Sequence, residues 1–318
     1  MIWMRAREAK RDQIWVDGKS RLGPFVLYAE CDLQQGVILR CHNGVSRKLL
    51  LINMMAALFC IAGVRLWAQD NYEIQVYGSE TVAPRTTMVE LHSNFTVDGS
   101  KALPGERYTT DGTYPTNHAE HETVEITQGI TSWSEVGFYI FTSAHDGQGW
   151  QWVGDHIRPR VRVPDSWHWP VGVSLSTEVG YQQARFSPDT WTLEIRPIVD
   201  KQVGRWYWAV NPALERSFHG PSVPDGVEFS PGVKVSYNFN KVVAGGLEYY
   251  GAFGRIDDFA SGRDQEQQFF PAVDLNVSPK WEINFGVGLG VTASTDHLIV
   301  KGILGRRFDW PHRARKNY

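Results

Sequence analysis

Residues 156–163 read His-Ile-Arg-Pro-Arg-Val-Arg-Val, the sharpest polar constellation in the sequence. In a strand, alternate side chains point to opposite faces, so His156, Arg158, Arg160 and Arg162 share one face and Ile157, Pro159, Val161 and Val163 the other. The three guanidiniums then form a column about 14 Å long at the rise of a strand. Glu125, Glu178, Glu194, Glu248 and Asp274 fall at matching parity in other segments, as do Arg196, Arg205, Lys234 and Lys301. All are expected to line one interior. Paired with the acids, the arginine column is a neutralised ion-pair lattice that fills a narrow barrel, as small barrels fill their interiors with side chains. Beside an open channel the same column would attract anions.

Hydrolytic chemistry has less to build on. It needs a nucleophile with a base in reach and a third group holding that base. Ser294, Asp296 and His297 sit together in a short turn, where solvation accounts for them. His118, Glu120 and His121 lie at a loop edge, and a strand would send the two histidines to opposite faces, against a metal pair. No motif calls for a cofactor or a metal, and the chain reads as a non-enzyme.

The elements that must position these residues are strands. Segment 281–291, Trp-Glu-Ile-Asn-Phe-Gly-Val-Gly-Leu-Gly-Val, puts Trp281, Ile283, Phe285, Val287, Leu289 and Val291 on one face, and glycines with Glu282 and Asn284 on the other, where the wall is expected to leave space. Similar alternation recurs over 86–97, 119–130, 134–143, 152–163, 170–182, 189–200, 204–214, 227–239, 241–253, 268–277 and 297–308. Connections alternate between long polar loops (98–118, 144–151, 183–188, 215–226, 254–267, 292–296) and short turns, the habit of a barrel with an external and a periplasmic end. The expected fold is all-β, a single closed antiparallel up-and-down transmembrane β-barrel of about twelve strands.

A charge on the lipid face costs about 2 to 4 kcal/mol near mid-bilayer. The apolar parity, including Val89, Leu91, Phe95, Val124, Ile126, Leu175, Trp191 and Val235, is therefore assigned to lipid and the charged parity to the lumen. Tryptophans near strand ends, among them Trp133, Trp152, Trp206 and Trp281, suit interfacial girdles. Pro159, Pro197, Pro212, Pro231 and Pro271 fall inside the expected strands, where each removes a ladder donor.

Composition agrees. The 318 residues carry a net charge of −3 with no basic patch, so no nucleic-acid partner is implied. Thirteen Trp, 30 Gly and 13% aromatic residues suit an all-β chain with aromatic belts. Mean hydropathy is −0.32, as expected where lumen-facing residues offset lipid-facing ones. Cys31, Cys41 and Cys60 all precede residue 69, leaving a body with no disulfide framework. Arg47 and Lys48 followed by an apolar run from Leu49 to Val64 read as a secretory signal over 45–68. A signal belongs at an N-terminus, so translation is expected to start near Val45, leaving 1–44 as an unmade or disordered extension. Residues 69–85 are assigned to the periplasm or the barrel mouth, 86–308 to the barrel and 309–318 to a basic tail.

The last strand, Leu-Ile-Val-Lys-Gly-Ile-Leu-Gly-Arg-Arg-Phe, resembles the C-terminal signature of bacterial outer-membrane barrels, with Leu298, Val300, Leu304 and Phe308 at one parity. The resemblance implies outer-membrane lipid as surroundings and recognition of the last strand by the barrel-assembly machinery. The sequence departs from that pattern at Arg306, where an apolar or aromatic residue is usual, and in the tail that follows Phe308. Over 70–308 the ladder is also similar in architecture to the meta-pathway phenol-degradation outer-membrane barrels, which implies passage of hydrophobic compounds. The expected function is a passive channel or transporter for small solutes or hydrophobic compounds. A structural or surface-interaction barrel with a charge-plugged lumen is the alternative, and an outer-membrane hydrolase stands third.

Overall fold

The computed structural model describes residues 30–31, 41–42, 71–145 and 147–311. Glu30–Cys31 and Cys41–His42 pair antiparallel as a small ribbon in one compact unit, Met1–Gly63. Apart from that ribbon, the expectations for 1–44, the signal at 45–68 and most of the basic tail lie outside the described residues. The second unit, Val64–Tyr318, holds the barrel.

Its twelve strands are β1 (Thr86–Asp98), β2 (Glu120–Thr131), β3 (Ser134–His145), β4 (Gly149–Arg162), β5 (Gly172–Gln182), β6 (Trp191–Val203), β7 (Trp206–His219), β8 (Val227–Asn238), β9 (Val243–Ala252), β10 (Glu266–Leu275), β11 (Trp281–Gly290) and β12 (Leu298–Asp309). Each pairs antiparallel with its sequence neighbour, and β12 returns to β1 from Leu298↔Asp98 to Asp309↔Thr86. That seam closes the ring. The strands match those expected from alternation to within a few residues, and all are long enough to cross a hydrocarbon core of about 30 Å when tilted.

Two connections differ from expectation. β3 and β4 run on past the expected loop and meet in a tight hairpin, made possible by Gly147 and Gly149 at φ 72° and 65°. Conversely, the β4–β5 turn at the opposite end is extended by a 3-10 turn at Asp165–Trp167. The long-loop end is dominated by 99–119 and 253–265, the latter carrying a short hairpin, Gly254–Arg255 with Asp258–Phe259, that pairs Arg255 with Glu228 of β8. In the first of these loops, burial tends to raise the carboxyl of Asp111, but hydrogen bonds from Thr109 and Thr113 hold it below its ordinary value.

The wall is apolar outside and charged inside, the reverse of a water-soluble domain. Phe285, Val287 and Leu289 are about half exposed, at 55%, 46% and 50%, whereas Glu125, Arg158 and Lys301 are at 0%, 2% and 1%. An exposed apolar belt of this extent matches a hydrocarbon surround. Exposed Trp133, Trp169, Trp206, Phe308 and Trp310 ring the short-turn end, and Trp150, Trp152, Trp191 and Phe218 the long-loop end. These two girdles sit where amphipathic rings meet headgroups.

The five prolines lie within strands and point outward. Each keeps register with one neighbour and interrupts pairing on its other side. Pro159 faces Val136 of β3, while the β4–β5 ladder skips from Ile157↔Val179 to Arg160↔Ser176. Pro197 and Pro212 share the gap in β6–β7 between Ile195↔Leu214 and Val199↔Val210. A missing N–H on one edge of the strand is the physical reason.

The inward glycines of β11 do not leave the wall open, as had been expected. A Cβ at Gly288 would run into the ring of Phe270, and one at Gly286 would crowd the stem of Lys301. The missing side chains admit two large neighbours. Gly288→Leu is expected to cost about 1–3 kcal/mol by overpacking. Combined with Phe270→Ala it should be less destabilising than the two single changes summed, measured by urea unfolding with heat-modifiable gel migration as the readout.

Candidate functional site

The lumen is occupied by the chain itself. Residues 71–85 enter beside loop 291–297, where the Asn71 amide donates to Asp296 (2.6 Å), and run down the barrel as extended chain. They leave at the short-turn end, where Val82 N–H donates to Glu135 (2.5 Å) and Arg85 N–H to the Gly129 carbonyl. The segment is thus neither periplasmic nor confined to the mouth, as the sequence reading had it. Its alternation finds a use inside a closed ring, because the lumen has two unlike sides.

Ile74 and Val76 pack on an apolar strip of Ala209, Tyr250, Phe270 and Ile299. Glu73 and Tyr77 turn the other way, to the arginines of β4 and β6. The guanidiniums of Arg158, Arg196 and Arg160 lie 4.8, 5.2 and 5.6 Å from the Tyr77 ring, and its hydroxyl donates to Glu73. Asn211 holds the Tyr77 backbone from both sides, accepting from its N–H (2.7 Å) and donating to its carbonyl (3.0 Å). A side-chain amide can satisfy both backbone polar groups of a residue that has no strand neighbour. Arg160 donates to the carbonyls of Gly78 and Glu80, and Lys301 to that of Ile74 (2.9 Å). Near the long-loop end, Tyr72 packs with Tyr139, Phe141 and Val153.

The charged residues expected in the lumen are paired, mostly across strands. Arg158 bridges to Glu125, Arg160 to Glu135 (2.6 Å) and His156 to Glu178 (2.6 Å). Arg196 joins Glu194 (2.6 Å) and Glu73 (3.5 Å). Lys234 lies between Glu248 (3.1 Å) and Asp274 (2.9 Å), and Lys301 completes that group on Glu248. Arg162, at the rim, pairs with exposed Asp165. Arg205 is the exception: β6 continues to Val203, so Arg205 occupies a tight turn after Gly204 (φ 60°) and is exposed outside the lumen.

Sequence reasoning missed Glu73, Tyr77, Glu135 and Asn211. The Tyr72–Tyr77 alternation was a usable signal for the first two. Glu135 stands at the inward parity of β3, one strand from the arginines, but Asn211 carried no sign of its role.

Below this packing lies a cavity of about 1330 Å³ that opens at the short-turn end. Its wall interleaves acids and bases, among them Glu90, Glu135, Asp200, Arg158, Lys234 and Arg307. It ends near mid-barrel, where the segment and its apolar strip fill the section.

The residues considered for hydrolysis are engaged otherwise. Asp296 accepts from Asn71, from Thr116 (2.7 Å) and from the Ser100 N–H, and the His297 N–H donates to the Asp98 carbonyl. His121 is buried against Ser143 (3.2 Å) and Tyr72. His118 sits at φ 58° just before β2, and no group of three or more His, Cys, Asp or Glu that could hold a metal occurs among the described residues.

No protein-family model and no curated protein matches the chain. Among solved structures it is similar to an outer-membrane channel of Pseudomonas putida F1, at 12% identity and a TM-score of 0.49 over 74% of this chain and 100% of that one. It is also similar to the outer-membrane protein Omp33 of Acinetobacter baumannii, at 11% identity and a TM-score of 0.38 over 73% and 100% of the two chains. The outer-membrane channel DcaP of the same organism follows at 9%, 0.32, 70% and 96%. All three are described as outer-membrane proteins.

Removing one partner of a buried ion pair strands the other, at a cost of about 3–5 kcal/mol. Arg158→Ala is expected to lose about that much in urea titrations of the refolded protein. Arg162→Ala, whose partner is in solvent, should lose at most about 1 kcal/mol.

Proposed function

We propose that the chain is a passive channel of the bacterial outer membrane for small solutes, closed at rest by residues 71–85. The observation that carries this reading is the vestibule of about 1330 Å³. A purely structural barrel has no need of a charged, water-accessible chamber reaching halfway through it. The obstruction beyond is a single extended segment, attached to β1 at one end and held at the other by Asp296, Asn94 and Thr123. Noncovalent contacts of this kind can be released without unfolding the wall.

Interleaved charges on the vestibule wall suit small polar solutes and give little preference between anions and cations. Residues 45–68 serve as the export signal, and β12, ending in Phe308, is the segment presented to the barrel-assembly machinery. The second reading, a plugged structural barrel, is favoured by one observation: the buried packing of Tyr72 with Tyr139, Phe141 and Val153 in the upper lumen.

Planar-bilayer recording decides between the two. The full-length protein is expected to show low conductance with brief openings and near-equal anion and cation permeability. Asp296→Ala, which removes the side-chain hold on Asn71, should raise the open probability. If deletion of 71–83 leaves a correctly folded barrel that still passes no current, the channel reading is lost.

A further inference from the structure

The lipid-facing wall at the short-turn end holds a cation without a carboxylate partner. In β12, Val300, Leu304, Arg306 and Phe308 share the outward parity, and Arg306 stands opposite Trp281 of β11 and Val89 of β1. Its guanidinium lies 5.0 Å from the Trp281 ring and 5.2 Å from the Phe308 ring. Neighbouring bases are matched: Arg307 bridges to Glu282 (3.0 Å) and Lys280 to Asp309 (3.3 Å). Among the described residues, Arg306 has no such bridge.

We propose that Arg306, between Trp281 and Phe308, is the anchor of a binding site for the phosphate of an anionic glycerophospholipid in the leaflet at the short-turn end. The cost of a lipid-facing charge falls away only near the interface, so a guanidinium on this wall belongs at headgroup depth, where its apolar stem covers the barrel. Two flanking rings hold the planar group by cation–π attraction and take up none of its N–H donors. A guanidinium fork matches phosphate oxygens better than any other side chain does.

Charge complementarity selects the lipid. With the neighbouring carboxylates already paired, the site presents one net positive charge. A headgroup with no ammonium of its own neutralises it best. The same rim carries exposed Arg205 and Lys241 beside a small pocket with Asn238 and Asn240, so the surroundings are also basic. At the long-loop end, by contrast, the outward positions of β2 carry Glu120 and Glu122. The inference rests on the membrane placement proposed above and is independent of conduction.

Native mass spectrometry of the full-length protein in detergent, titrated with phosphatidylglycerol or with phosphatidylcholine of the same acyl chains, tests it. Wild type is expected to retain phosphatidylglycerol preferentially. Arg306→Gln should lower that occupancy about fivefold, the weight of one basic side chain at an anionic lipid surface, and leave phosphatidylcholine binding unchanged. Arg306→Lys should keep part of the preference, and Lys101→Gln, at the opposite end, all of it. Heat-modifiable migration and insertion into vesicles show separately whether each variant folds and whether the barrel enters a bilayer at all. An inserted, folded Arg306→Gln protein that binds phosphatidylglycerol like wild type would overturn the proposal. So would displacement of the lipid by inorganic phosphate alone, or an equal loss of both lipids.

Discussion

Everything in this structure depends on the seam between β12 and β1. Hydrocarbon offers no partner to a backbone N–H or C=O, so a sheet can cross a bilayer only by leaving no edge. Pairing from Leu298↔Asp98 to Asp309↔Thr86 meets that demand. Once the sheet is closed, the two-residue period of a strand becomes a division of space: one parity faces lipid and the other the lumen. Exposed Phe285 and buried Asn284 are neighbours in sequence but face different media.

Closure also makes the lumen narrow, and a narrow lumen makes its charges expensive unless they are paired. The structure answers with ion pairs across strands and with a segment of its own chain. The two are one system. Arg160 and Arg196 each hold a wall acid and part of the segment, and Lys301 holds both Glu248 and the Ile74 carbonyl. The apolar strip opposite takes Ile74 and Val76, so the segment fits in one orientation about its axis. This resembles the coupling of a strand to a sheet, with side chains of the wall standing in for the ladder that a closed ring cannot offer.

The barrel was legible in the sequence because its signal is repetitive: each strand repeats the same alternation, and an error of a few residues at one end leaves the others intact. The lumen-facing parity of Arg158, Glu125 and Lys301 followed from the same rule. What could not be read was partnership. Periodicity fixes which way Glu178 points, but the cross-strand stagger decides that it meets His156. Asn211 is ordinary in sequence, since its role exists only where residue 77 passes. The glycines of β11 misled for a related reason. A missing side chain shows that something comes close, and Phe270 and Lys301, from other strands, are what come. Arg205 missed the lumen because β6 is a few residues longer than its pattern suggested, and a two-residue turn tolerates no such slip.

The course of residues 71–85 has a kinetic consequence. The segment reverses direction at Ala83–Thr86, so wall and obstruction form one hairpin, with one leg in the sheet and the other in the hole. An obstruction tethered in this way is never lost to dilution. Its local concentration at its own site is fixed by the short connection, on the order of millimolar for a flexible tether. Reclosure is therefore a first-order event, insensitive to how much protein the membrane holds, and its rate is set by the chain rather than by encounter.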